Sequence, residues 1–573
     1  MIVKQRKRRN WRLFLFNFFA FSIFGTLVGR LVFLQILEHS YYSSLASKQH
    51  LAEITIEPLR GSIYFSDGKS LLAYNDGAFE VALSPRNIKD PQKVAQVLSK
   101  IITSKSYEEI LKLAEDKNRA WIVIDKDLPL KYGKDLENLD GVYLQSTFKR
   151  SYPQGKVAAN VVGFVGESEQ GKSGKYGLEE YFEKYLKGKE GKVLALKDAR
   201  GEIILPFVTE KERKVDGCDL ITTLNFEIQL QAEKFLEEIQ KKYSPKSSVI
   251  IIADPKTGEI LAMASRPNFD PNFYFENKDY SVFLNRALIP IEPGSIFKAI
   301  TLAGALEKGV IDPTTTYEDS GVVKVDPISP PIHNASFKKY GKRTMTEVLE
   351  YSINTGAVFA EQKLGKENFL YFVQKFGFGK NTGIELAGEK PGSLKNLLQP
   401  RSVYKEIEYA TASFGQGILV TPIQVVQAFM TIANGGKLTS PKIVKSLICP
   451  GKEKVDFPPK IGENVISPET ASKITAMLVS SVERGYTKKA KVEGYLIAGK
   501  TGTAQKPLPQ GGYSDTQTWH TLVIFAPAFD PKFLIFSAME EPNVIAYTES
   551  TLVPAIKPLE EYLFGYFKIP KSE

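Results

Sequence analysis

A serine hydroxyl is a weak nucleophile, and one short residue pattern in this chain can strengthen it. In Ser-x-x-Lys, a helix places a hydroxyl and an amine on one face, one turn apart. A neutral amine there can take the hydroxyl proton as the oxygen attacks a carbonyl. The pattern occurs five times, starting at Ser66, Ser146, Ser295, Ser336 and Ser402. Lys-Thr-Gly occurs at Lys256 and at Lys500, and Ser-x-Asn at Ser352-Ile353-Asn354. Each is common by chance, so their surroundings must separate them.

Ser295 lies in EPGSIFKAITLAGALEKG, where Pro293-Gly294 breaks the chain ahead of an apolar helical run. Its hydroxyl is expected at a helix N-terminus, whose free N–H groups favour developing negative charge. Ser66 and Lys69 instead flank Asp67-Gly68, a turn, and Lys256-Thr-Gly is the hairpin turn after Asp254-Pro255. Lys500 follows the strand-like GYLIAG and continues as Thr501-Gly502-Thr503-Ala504. Ser352 follows a helix opened by the capping box Thr344-Met-Thr-Glu347. In order, Ser295-Ile-Phe-Lys298, Ser352-Ile-Asn354 and Lys500-Thr-Gly502 form the triple signature of serine acyl-transferases acting on penicillin and its peptide targets.

The elements that must position these residues follow from the rest of the 573-residue chain. Hydrophobic residues make up 43% and charged residues 24%, which excludes a disordered or collagen-like protein. Four histidines and two cysteines leave no prospect of a Cys/His zinc quartet, and at most one disulfide can form. The net charge of +10 is concentrated in the first twelve residues, where Lys4, Arg6, Lys7, Arg8, Arg9 and Arg12 stand without an acid. A nucleic-acid binder would spread such charge over a folded face; here it is one short tail.

Leu13 to Gly29 follows without a charge and continues past Arg30 to Leu37. A bilayer core needs about 17–25 mostly apolar residues in a helix, so residues 13–37 are expected to span a membrane once. A cleaved signal peptide has a shorter apolar core and a small-x-small site, which this segment lacks. The positive-inside rule keeps residues 1–12 cytoplasmic and puts residues beyond 38 outside the cytoplasmic (inner) membrane. Asn17, Ser22, Gly25, Thr26 and Gly29 interrupt the span, and Gly25 and Gly29 form a Gly-x-x-x-Gly pair. Such residues either let another helix approach or simply face lipid. Residues 38–220 read as short strands such as Phe79–Pro85 and Trp121–Ile124. Residues 221–573 mix a helix over Asn225–Tyr243 with strands over Ser248–Ala253 and Glu259–Ser265.

The chain resembles the class B penicillin-binding proteins, the monofunctional peptidoglycan D,D-transpeptidases. Arg60-Gly61-Ser62-Ile63, Arg150-x-Tyr152-Pro153-x-Gly155 and Tyr176-Gly177-Leu178-Glu179 look like that family's pedestal motifs. Asp254-Pro255, Gly258-Glu259-Ile260, Phe414-Gly415-Gln416-Gly417 and Thr421-Pro422 resemble its transpeptidase domain, the last two favouring the division (septal) type. Phe65-Ser66 stands where the family often has Asp-Arg, Asn225 where it often has Asp, and Ile353 where it often has Ser. The resemblance implies a membrane-anchored multidomain α+β protein. Its parts are a cytoplasmic tail (1–12), one transmembrane helix (13–37), a mostly β pedestal or dimerisation-like domain (38–220) and a β-lactamase-like transpeptidase domain (221–573).

The expected roles combine chemistry and resemblance. Ser295 is the nucleophile and Lys298 its base, with burial and the cation Lys500 lowering the Lys298 pKa. Ser352 relays a proton, and Asn354 holds either Lys298 or a substrate peptide bond. Thr501, Gly502 and Thr503 receive the substrate, the two hydroxyls facing a terminal carboxylate beside Lys500. The resemblance implies an oxyanion hole from the backbone N–H groups of Ser295 and Thr503, and no metal or cofactor. Tyr152 and Pro153 are expected to be scaffold, and His520 to be packing or groove lining rather than a base. Stem peptides and β-lactams are the expected ligands, and a SEDS-type membrane glycosyltransferase the expected partner, because residues 38–220 show no polymerase site. The alternatives are an elongation-type transpeptidase, a D,D-carboxypeptidase or β-lactamase-like hydrolase, and a non-enzymatic division scaffold.

Overall fold

The computed structural model describes residues 2–168, 171–197, 203–401, 405–508, 512–544 and 547–571, and they fall into two compact units. Residues 1–58 and 189–216 form the first unit. Its N-terminal helix, Ile2–Val32, continues through a wider π-type turn, Phe33–Leu37. Within it, Trp11–Leu37 is the one helix among the described residues long and apolar enough to cross a membrane. Gly25 and Gly29 have open space around them, and Thr26 turns its hydroxyl onto Ser22 O at 2.8 Å, which satisfies it inside an apolar helix. The rest of this unit holds the helix His39–His50 and a three-stranded antiparallel sheet, Leu51–Ile56, Gly191–Lys197 and Ile203–Glu212 in that order.

Residues 59–188 and 217–573 form the second unit. At its centre is a five-stranded antiparallel sheet: β1 (Ser247–Ala253), β2 (Ile260–Arg266), β3 (Ala498–Pro507), β4 (Tyr513–Ala526) and β5 (Phe533–Glu540), in spatial order β2-β1-β5-β4-β3. Alternate residues face opposite layers. Ile250, Ile252, Leu522, Ile524 and Ile535 pack on α1 (Phe226–Tyr243) and the C-terminal helix Leu552–Tyr566. Val249, Ile251, Val523, Leu534 and Phe536 share the other core with α2 (Lys298–Glu307), Pro422–Ala433 and Pro468–Glu483. Both faces are covered, which is why SVIIIA is an unbroken apolar run instead of an alternating one. β3 is left as an edge strand.

Strand Asp219–Thr222 runs parallel to Ile63–Tyr64 and antiparallel to Val444–Ile448, so one sheet joins chain from both ends of this unit. The two cysteines are bonded to each other, Cys218 to Cys449, at the end of that ladder. The departures from the family pattern have local explanations. Phe65 is fully buried and meets Phe226 edge-on at 5.1 Å, so an apolar contact stands where a charged pair often does. Asn225 caps α1 by accepting from Ile228 N at 3.0 Å and also donates to Tyr566 OH at 2.7 Å, which an aspartate cannot do.

The three pedestal motifs converge on one carboxylate. Glu179 is fully buried and accepts from Arg60 Nε at 2.7 Å, Arg150 Nε at 2.8 Å and Tyr152 OH at 3.3 Å. Tyr152 OH in turn accepts from Val165 N at 2.9 Å, so its role is structural, as expected. Burial alone would raise the Glu179 pKa, but the two guanidinium groups outweigh it and hold the carboxyl below its ordinary value. Removing one partner of such a buried cluster strands the others. Glu179→Gln is therefore expected to destabilise this unit by about 3–5 kcal/mol, read as a fall in its thermal or urea unfolding transition. A change below about 1 kcal/mol, the range of exposed ion pairs, would count against this cluster as the pedestal's anchor.

Candidate active site

Ser295 sits in a 3-10 turn, Gly294–Phe297, that runs directly into α2 at Lys298. Every residue of α2 except the last is buried, so the helix is apolar all round and Lys298 is carried into the core with it. The expected one-turn geometry holds: Lys298 Nζ lies 3.0 Å from Ser295 Oγ. Among the described residues, the other Ser-x-x-Lys segments do not form this pair. Ser66 lies in a turn, and Ser146 lies on strand Val142–Ser151, where positions three apart point to opposite faces. Ser336 lies in a short 3-10 turn, and Ser402 falls outside the described residues.

The second motif is placed by two helices. Thr344 and Glu347 form the predicted capping box of α3 (Met345–Glu350), and α4 (Asn354–Leu364) starts just beyond it. Between them Ser352 takes a left-handed φ of 55°, a strained conformation for a residue with a side chain. This turn offers both its carbonyl and its hydroxyl to Lys298, at 2.5 and 3.2 Å. Ile353 is fully buried, so the apolar residue in the middle of the motif packs into the core and pins the turn. Asn354 Oδ1 accepts from Lys298 Nζ at 2.8 Å.

Lys500 lies on the edge strand β3 and reaches the same place from the opposite wall. Its Nζ is 3.0 Å from Ser352 Oγ and 2.9 Å from Thr501 O. One hydroxyl therefore sits between two buried amines. Burial, reinforced by the like charge of Lys500, holds the Lys298 pKa well below the ordinary lysine value. Burial also lowers Lys500 to about 7, against the opposing pull of Glu549. A neutral Lys298 can donate to Asn354 and Ser352 while its lone pair faces the Ser295 hydroxyl, which is the arrangement a general base requires.

Two glycines let the nucleophile turn dock on β3. Gly294 has φ +63°, and a Cβ there would come within 2.9 Å of Ala504 Cβ. A Cβ on Gly502 would come 2.3 Å from Thr521 Oγ1, 3.1 Å from Pro293 O and 3.2 Å from Ile296 N. Residues 293–296 thus lie along residues 502–504.

Several residues of the site carry no sequence motif. Thr548 donates its hydroxyl to Gly502 O at 2.5 Å, lies 3.0 Å from Thr503 Oγ1 and gives its N–H to that same hydroxyl at 3.2 Å. Glu292 stands behind the nucleophile turn, accepting from Gly417 N at 3.0 Å and from Tyr513 OH at 3.3 Å, and burial pushes its carboxyl up to about 7. Gly294 N donates to Gly415 O at 3.0 Å, so the Phe414–Gly417 segment is tied to the turn that carries Ser295. His520 is fully buried with Nδ1 2.8 Å from Thr551 Oγ1, a packing position.

Comparison with known proteins identifies the family. Residues 248–559 match the family described as penicillin binding protein transpeptidase domain, and residues 55–222 the penicillin-binding protein dimerisation domain. The chain belongs to the class B penicillin-binding proteins. Among the relatives of this penicillin-binding protein, stage V sporulation protein D of Bacillus subtilis is 35% identical over 94% of this chain and 82% of its own length. Penicillin-binding protein PbpB of Mycolicibacterium smegmatis is 30% identical over 87% of this chain and 75% of its own. In fold it is similar to penicillin binding protein 2X of Streptococcus thermophilus, with a TM-score of 0.75 at 23% identity over 91% of this chain and 83% of that one.

If the charge on Lys500 helps to keep Lys298 neutral, removing it must raise the Lys298 pKa. Lys500→Met is expected to move the rising limb of the acylation rate to higher pH as well as to lower the rate. Second-order acylation constants measured across the pH range test this. A limb that stays in place or moves to lower pH would show that Lys500 does not act on Lys298 through its charge.

Proposed function

We propose that the protein is a peptidoglycan D,D-transpeptidase that works through an acyl-enzyme on Ser295. The observation carrying this reading is the placement of Ser352 Oγ between Lys298 and Lys500, with Lys298 3.0 Å from Ser295. Ser295 Oγ attacks the carbonyl of the donor stem peptide's terminal amide bond while Lys298 takes its proton. The oxyanion is received by the N–H groups of Ser295 and Thr503. Lys298 and Ser352 return the proton to the leaving amine, and a second stem's amine then attacks the ester. Lys500, Thr501 and Thr503 receive the donor's terminal carboxylate, with Gly502 allowing the close approach. None of these steps calls on a metal or cofactor.

The domain reading is a basic tail over 1–12, a membrane helix over 13–37, a pedestal over 38–220 and the catalytic domain over 221–573. The tail stays cytoplasmic and the catalytic domain faces outward, where its substrate is. The resemblance of Phe414–Gly417 and Thr421-Pro422 to division enzymes supports work at the septum. A polymerase of the SEDS type supplies the glycan strands and docks through the small and polar face of residues 13–37.

Labelling with a fluorescent penicillin tests the chemistry. The adduct is expected on Ser295 and to vanish in Ser295→Ala; an adduct on Ser66, Ser146, Ser336 or Ser402 would overturn the assignment. Lys298→Ala should slow acylation by about 10²–10⁴-fold as a lost general base. Thr501→Ala should cost only about tenfold, the low end for one hydrogen bond to a charged group. Equal losses would reject this division of roles. Exchanging residues 13–37 for an unrelated membrane helix should leave labelling intact and reduce co-purification with the polymerase. Undiminished co-purification would reduce that helix to a tether.

A further inference from the structure

Asn354 uses both ends of its amide. Oδ1 holds Lys298 at 2.8 Å, while Nδ2 donates to the backbone carbonyl of His333 at 2.9 Å. A carboxamide is planar, and a backbone carbonyl only accepts. Whatever fixes the His333 carbonyl therefore dictates that the oxygen of Asn354, and not its NH₂, faces the amine. If the amide were reversed, an NH₂ would meet Lys298 and two oxygens would face each other at His333.

The His333 carbonyl is fixed by a buried polar cluster. Its neighbour Asn334 donates Nδ2 to both oxygens of Asp319, at 3.0 and 2.9 Å, and to Lys338 O at 3.1 Å. Asn334 Oδ1 accepts from Thr355 N at 3.1 Å, in the first turn of α4, next to Asn354. Thr355 Oγ1 donates to Asp319 at 2.6 Å and lies 3.2 Å from Tyr317 OH. Asp319, fully buried, also accepts from the backbone N–H of Gly321 at 3.0 Å and of Tyr340 at 2.8 Å. One carboxylate thus binds three stretches of chain: 319–321, 334–340 and the start of α4. A site that must hold an amine within hydrogen-bond reach of a serine needs such support, since a displacement of about 1 Å can cost about 10²-fold in rate.

We infer that Asp319, acting through Asn334 and Thr355, is a positioning residue for acylation: it clamps the His333 carbonyl to α4 and so fixes the Asn354 amide with its oxygen on Lys298. The inference rests on the acyl-transfer reading above. It assigns a task to a buried carboxylate that lies outside the triple motif and takes no part in the chemistry itself.

The decisive experiment is a double-mutant cycle on the full chain, read as the rate of acylation by fluorescent penicillin. In the wild-type background Asp319→Asn is expected to slow acylation about 10- to 100-fold. In an Asn354→Ala background the same change should cost less than about twofold, because the group it positions is gone. Thr355→Val removes a single hydroxyl and should reproduce the loss, while Thr355→Ser, which keeps the hydroxyl, should restore the rate to within about threefold. If Asp319→Asn does not fold, the Thr355 pair in the two backgrounds carries the same test. Losses of equal size in both backgrounds, or a Thr355→Ser as slow as Thr355→Val, would overturn the inference. A wild-type chain that is not acylated at Ser295 would overturn the transpeptidase reading instead.

Discussion

The structure turns on the burial of an amine. An ammonium taken out of water without a counter-charge costs several kcal/mol, and such a group escapes the cost by giving up its proton. Lys298 is surrounded by two serine hydroxyls, a serine carbonyl and an amide oxygen, with no carboxylate among its partners in the described residues, and the charge that acts on it is that of another lysine, Lys500. The fold makes that burial unavoidable. Lys298 opens a helix buried on every side, the helix lies under a sheet covered on both faces, and the nucleophile turn is pressed on the sheet's edge by Gly294 and Gly502.

The pedestal meets a buried charge with the opposite solution. Glu179 keeps its ionised form because two arginines are brought to it, so the cluster stores electrostatic energy in structure and not in reactivity. Glu292 is an intermediate case. Among the described residues it accepts only from a backbone N–H and a tyrosine hydroxyl, neither charged, so burial prevails and its carboxyl titrates near neutrality. Burial acts on all three groups, and their partners set the result: two arginines outweigh it at Glu179, neutral donors leave it to prevail at Glu292, and like charge reinforces it at Lys298.

The catalytic motifs were legible in the sequence because their geometry is local. A hydroxyl and an amine three residues apart on a helix meet without help from the rest of the fold, and the Pro-Gly break and capping box announced where those helices begin. The strands around the Asp254-Pro-Lys-Thr-Gly258 turn and the helix after Asn225 were legible for the same reason. What could not be read was whatever tertiary packing delivers. Thr548 lies 45 residues from Thr503 in the chain, and Glu179 lies 119 from Arg60. Asp319 stands in an undistinguished stretch, TYEDSG, and gains its significance only when Asn334 and Thr355 close around it. The Cys218–Cys449 pairing was permitted by the sequence, but it took the strand ladder beside it to bring the two residues together.

The position of β3 completes this logic. An edge strand leaves every other N–H and C=O without a neighbouring strand, which in most proteins invites unwanted pairing. Here that edge is bordered by the residues of the site: the Ser295 turn runs along residues 502–504, Thr548 ties Gly502 and Thr503 from the other side, and Lys500 points back to Ser352. Adding a sixth strand would close the opening between these walls. In the proposed acyl transfer, that opening leaves room for an extended peptide beside the nucleophile. The same feature that leaves the sheet unfinished gives the proposed acyl transfer its place to occur.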